Sequence, residues 1–158
     1  MNAIPKQVLE KETYFSFLTT ALASKDLEVI QLAGDASARR YFRVVKDQTA
    51  WVLMVWEPFI DDGNYPFLSV LNHFKRNGVQ VPDVIAKSPE QGLVLLEDLG
   101  DLTLERKFWE NQNQDAAYAY YELAIDELIK MHYHATEDKR PCTAFNIMFD
   151  TDKFMWEM

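Results

Sequence analysis

Between residues 27 and 97 the chain repeats one device: an apolar stretch of strand length, then a cluster of turn-forming residues. Partial alternation over 27–33, 40–46 and 51–56 predicts three strands, with Asp47-Gln48-Thr49 joining the second to the third as an antiparallel meander. Val84-Ile85-Ala86 and Leu93-Val94-Leu95-Leu96 predict two more, separated by the turn Ser88-Pro89-Glu90-Gln91-Gly92. Phe67, Val70, Leu71 and Phe74 fall at i, i+3, i+4 and i+7, so a helix over 65–77 accompanies the strands, ended at Asn77-Gly78 by a left-handed cap. After Glu97-Asp98-Leu99-Gly100-Asp101 the pattern turns helical, with Ala117, Tyr121, Ala124, Ile125, Leu128 and His132 on one face. An earlier helix, from Pro5 to Ser24, carries Val8, Phe15, Leu18, Ala21 and Leu22. Strands early and helices late predict an α+β fold, with a boundary in residues 97–101.

Composition narrows the function. A net charge of −9 argues against generic nucleic-acid binding, which needs a basic face. The longest apolar runs are strand-sized, so no membrane span is expected, and no signal peptide is visible. The lone Cys142 allows no internal disulfide and fits a reducing compartment such as the cytoplasm.

Against this acidic background stands Gly34-Asp35-Ala36-Ser37-Ala38-Arg39-Arg40-Tyr41-Phe42-Arg43, a Gly/Ser turn running into a strand with three arginines in five residues. The arginines are either solvated charges paired with nearby carboxylates or ligands of an anion held over the turn's backbone N–H groups. Alternation puts Tyr41 and Arg43 on one strand face and Phe42 and Val44 on the other, so Arg43 need not share a role with Arg40. Ser37 is a turn former or a phosphate ligand, and Asp35 shapes the turn. Trp51, Trp56, Phe59 and Phe67 are core or pocket wall. His132 and His134, two apart on a helix, do not face one another, so His132 reads as a core-edge histidine rather than a metal ligand. Asp150 and Asp152 lack the glycine and glutamate of a calcium loop and read as loop residues.

Three stretches carry a resemblance: the 34–43 turn, Val52-Leu53-Met54, and Leu95-Leu96-Glu97-Asp98-Leu99-Gly100-Asp101, with Gly78-Val79-Gln80-Val81-Pro82 fitting a turn after the small-lobe helix. Over residues 27–101 the chain resembles the N-terminal part of aminoglycoside phosphotransferase-like kinases, relatives of the protein-kinase fold. Within them it is most similar to bacterial kinases that phosphorylate N-acetylmuramate and N-acetylglucosamine at the anomeric hydroxyl in cell-wall recycling. The resemblance implies a kinase-like small lobe over 1–97 with about five antiparallel strands, and a hinge with the first helices of a truncated large lobe over 98–158. It implies ATP as the nucleotide, held by Gly34, Ser37, Arg39, Arg40 and Arg43 at the phosphates and by the backbone of Glu97 and Leu99 at the adenine edge.

Departures from the pattern accompany the match. Met54 stands where the wider fold places a phosphate-binding lysine, and no partner glutamate is evident from Asn64 to Arg76. The turn arginines are the expected replacement. No His-x-Asp catalytic loop occurs in the sequence, so the chain alone is expected to lack phosphotransferase activity, with Mg2+ expected only in a longer protein. The reading is therefore the nucleotide-binding portion of an amino-sugar kinase. The alternative is a non-catalytic nucleotide-binding or protein-interaction module, for which a homodimer of the fragment would be unsurprising.

Overall fold

A computed structural model of the protein describes residues 11–33, 39–111, 114–147, 151 and 155. The architecture is α+β, with a five-stranded antiparallel sheet preceded and followed by helices. By contact the chain forms two compact units, Met1–Phe59 with Pro82–Leu99, and Ile60–Val81 with Gly100–Met158. The segment 60–81 thus counts with the later helices, whereas a single cut after residue 97 would count it with the strands.

The first unit holds helix α1 (Lys11–Leu22) and strands β1 (Glu28–Gln31), β2 (Arg40–Lys46), β3 (Thr49–Val55), β4 (Val84–Ser88) and β5 (Leu93–Glu97). Their order across the sheet is β1-β2-β3-β5-β4. The expected meander is β1-β2-β3, and its second turn is tighter than the sequence suggested. Lys46 pairs directly with Thr49, leaving Asp47-Gln48 as the loop, and Asp47 takes a φ of 54°, a left-handed conformation that aspartate tolerates.

Registry sorts side chains onto two faces. Phe42, Leu53 and Leu95 lie level on one, with Val44, Val55 and Leu93, and α1 covers them through Tyr14 and the fully buried Leu18. Tyr14 stacks on Phe42 at a centroid distance of 5.3 Å. Tyr41, Met54 and Val94 share the opposite face with Arg43, Val52 and Leu96. Met54 and Val94 are fully buried, so the position where a lysine was sought is apolar core. Strand β5 sits between two others and is buried from Leu93 through Leu96, which explains its unbroken apolar run. Edge strand β4 carries a bulge at Ile85, between Val84 opposite Leu96 and Ala86 opposite Leu95.

Gly92 makes the β4–β5 turn possible. Its φ is +67°, and a Cβ there would stand 2.1 Å from the Trp56 carbonyl oxygen. That close approach accompanies the bond from the Trp56 N–H to the Gly92 carbonyl at 2.9 Å.

The second unit contains α2 (Pro66–Arg76), α3 (Leu104–Asn111) and α4 (Gln114–Ile129), the last continuing through a π-helical turn at Lys130–His134 into Ala135–Glu137. Proline opens α2 where no N–H is needed. Its end is a Schellman cap. The Gly78 N–H meets the Lys75 carbonyl at 3.2 Å, the Val79 N–H meets that of Phe74 at 3.1 Å, and Gly78 has a φ of +75°. Thr103 caps α3, its Oγ1 accepting the Arg106 N–H at 3.1 Å.

The end of the long helix is bound to α2 inside this unit. The last carbonyls of a helix lack intrahelical donors. Here Lys139 Nζ serves Thr136 at 2.7 Å, and buried His73 of α2 serves Ala135 at 2.6 Å. Ser69 Oγ accepts the Thr143 N–H at 3.2 Å. The expected apolar face of α4 is open to solvent in this chain: Tyr121, Ile125 and Leu128 are 44–52% exposed. His132 is exposed as well, which corrects its reading as a core-edge residue; the buried histidine is His73, packed edge-on to Phe145. No helix among the described residues is long and apolar enough to cross a membrane.

Candidate functional site

The residues singled out from the sequence gather at two ends of the sheet unit. Gly34 and Ser37 lie outside the described residues, as does Asp35. Arg39 immediately precedes β2, and its guanidinium carbon lies 5.4 Å from the centroid of the Trp56 ring, a cation–π distance. Trp56 directly follows β3. Arg40 opens β2 opposite Val55 and so shares the face that α1 covers. Arg43 lies three residues on, on the opposite face with Val52 and Leu96. The cluster therefore divides across the sheet, as its odd spacing requires.

Arg43 is engaged by a carboxylate 55 residues away. Its Nε donates to Asp98 Oδ2 at 2.5 Å and its Nη2 to Oδ1 at 3.1 Å. The two side chains are 21% and 7% exposed. This is the two-pronged geometry that a planar guanidinium alone can offer a carboxylate. It spans β3, because β2 and β5 flank that strand and Asp98 is the residue after β5.

Glu97, the last residue of β5, is held from the other side. Its N–H donates to the Asp83 carbonyl at 2.8 Å, and its Oε2 accepts the Asp83 N–H at 3.1 Å. Leu99 follows with 69% of its surface exposed. The segment that begins as a buried strand thus ends in two residues fixed by neighbours on both sides and a third open to solvent.

The structure brings Arg43 together with the 97–99 segment and brings Arg39 together with Trp56. Two participants were missed in the sequence. Asp98 lies in the 95–101 stretch, yet nothing local marks a carboxylate whose partner is 55 residues distant. The sequence marks Trp56 only as core or pocket wall. Among the described residues no group of three or more His, Cys, Asp or Glu side chains could hold a metal ion.

Comparison with known proteins agrees in extent with this architecture. The sequence profile of the family described as "Phosphotransferase enzyme family" matches residues 28–157. The N-acetylmuramate/N-acetylglucosamine kinase of Neisseria meningitidis serogroup B is 29% identical over 126 residues, 80% of this chain and 37% of that protein. The Pseudomonas aeruginosa protein of the same name is 35% identical over 102 residues, covering 65% of this chain and 29% of that one. A third of that name, from Caulobacter vibrioides, is 26% identical over 149 residues, 78% and 40% of the two chains. The chain therefore spans 29–40% of the length of these relatives.

Proposed function

The chain belongs to the phosphotransferase enzyme family, and we propose that it is the nucleotide-binding portion of an ATP-dependent kinase acting on an amino-sugar hydroxyl. The observation that carries this reading is the sheet itself. In this five-stranded antiparallel sheet β2 begins beside Arg39 and carries Arg40 and Arg43, and β5 ends in a pinned, solvent-reaching segment, with one face covered by α1 and the other bearing the part-exposed Arg43 and Val52. ATP would lie beside the part-exposed Arg43 and Val52 on the face opposite α1, its base edge on the backbone of Glu97 and Leu99. The amino-sugar acceptor is proposed from relatives whose names specify N-acetylmuramate and N-acetylglucosamine. A cytoplasmic site of action fits such substrates.

Arg39 is the cation for the phosphates in this proposal. It adjoins residues 34–38, and strand parity carries it to the side of Tyr41 and Arg43. Arg40 falls on the α1 face, and Arg43 is engaged by Asp98. Transfer would be in-line, with positioning and charge neutralisation supplying most of the rate. No residue of this sequence is assigned as the base for the sugar hydroxyl, since no His-x-Asp loop occurs in it. Magnesium, which such a transfer uses to neutralise the phosphates, is likewise given no ligand here.

The test is calorimetric titration of the chain with ATP, together with phosphoryl-transfer assays on N-acetylmuramate, N-acetylglucosamine and aminoglycosides. Saturable ATP binding without transfer is expected. Turnover by the purified chain that a point substitution within it abolishes would refute the catalytic part of this reading. A second reading, a protein-interaction module or homodimer, is favoured by the exposed apolar side chains Leu123, Ile125 and Leu128 of α4. Sedimentation analysis distinguishes it: a monomer at all concentrations removes the homodimer.

A further inference from the structure

We infer that Arg43 is a positioning residue for nucleotide recognition rather than a phosphate ligand: its ion pair with Asp98 fixes the backbone segment that meets the nucleotide's base. The inference rests on the nucleotide reading above and assigns roles within that site.

The geometry supports this division in three ways. Two nitrogens of the Arg43 guanidinium reach the two oxygens of a carboxylate that is 7% exposed, where water competes least. The pair lies across β3, tying β2 to the residue that leaves β5. On the other flank Asp83 holds the N–H and the carboxylate of Glu97. Residues 97 and 98 are consequently held from opposite sides just before the exposed Leu99. A plain connector would need no such restraint, whereas a backbone that reads a planar ring edge needs its N–H and C=O groups held in fixed directions.

Lysine cannot reproduce the pair, because an ammonium is a single point of charge and leaves one carboxylate oxygen without its donor. Asparagine at 98 keeps the size but removes the charge and one acceptor. Each change loosens the 97–99 segment and alters no residue of 34–39.

The experiment separates the two halves of the nucleotide. The full 158-residue chain, as wild type, Arg43→Lys and Asp98→Asn, is titrated with adenosine and separately with inorganic tripolyphosphate. Melting points establish that each variant is folded, and Asp98→Asn supplies the same test should Arg43→Lys fail to fold. The expected result is adenosine affinity reduced on the order of tenfold in both variants with tripolyphosphate affinity unchanged. Loss of tripolyphosphate affinity in Arg43→Lys with adenosine unaffected would make Arg43 a phosphate ligand and overturn the inference. Unchanged affinity for both probes would make the pair merely structural and overturn it too. A wild type that binds neither probe, nor ATP, would overturn the nucleotide reading itself, and the inference with it.

Discussion

His73 and Ala135, 62 residues apart in sequence, meet at 2.6 Å between imidazole Nε2 and a carbonyl oxygen. A carbonyl can only accept, so Nε2 carries the proton of this bond. The other ring nitrogen lies 3.5 Å from Arg76 Nη2 and 3.8 Å from Asp138 Oδ2. A single buried ring thereby closes the end of the long helix onto α2. His73→Phe keeps a ring in place but removes the donor and leaves the Ala135 carbonyl buried without it. The expected loss is about 1–3 kcal/mol, read as a lower urea midpoint with an unchanged slope.

Asp138 gives that same junction a dependence on pH. Hydrogen bonds from the Arg140 side chain, then from Asn77 and the Arg140 backbone N–H, hold its carboxyl well below the usual carboxylate range. A depressed value means that the folded state favours the ionised form. The contribution is complete at neutral pH and is lost progressively as the pH falls below about 3.9, the ordinary value for the unfolded chain. Asp138→Asn should therefore be less stable than wild type near pH 7, with the gap closing towards about pH 2.5. Melting points at the two pH values check this, and a constant gap would refute the assignment.

Two glycines with similar backbone angles should respond differently to alanine. Gly78 has a φ of +75° and open space around a Cβ, while Gly92, at +67°, would drive a Cβ into the backbone of Trp56 and Glu57. Gly78→Ala is expected to cost about 1–2 kcal/mol for the left-handed conformation alone. Gly92→Ala should cost about 1–3 kcal/mol more, because the β4–β5 turn must shift. Equal losses in denaturant unfolding would contradict the close approach.

Periodicity was enough to read the strands. Phe42 and Val44 alternate with Tyr41 and Arg43, and the two faces follow from that, while the short turn after Lys46 implies the antiparallel pairing of β2 with β3. The α2 stripe and its Asn77-Gly78 stop were legible for the same reason, since caps and faces are local. Which partners those faces meet was not. The α1 residues Tyr14 and Leu18 enter the sheet core by a tertiary choice that no local pattern encodes. His73 was passed over because, on a helix whose apolar stripe includes Val70 and Phe74, a histidine carries no sign of the distant carbonyl it serves. The arginine cluster was visible at once. Its division between Trp56, the α1 face and Asp98 needed the registry of three strands.

Titration of ATP into wild type, Arg39→Ala and Arg40→Ala decides whether this sheet holds ATP with an arginine in place of the absent lysine. A charge-assisted contact contributes about 1.5–3 kcal/mol. Saturable binding to wild type is expected, weakened about ten- to a hundredfold by Arg39→Ala and left within about threefold by Arg40→Ala, whose side chain falls on the α1 face. Absence of ATP binding to wild type, or an Arg39→Ala affinity equal to wild type, would contradict the proposal.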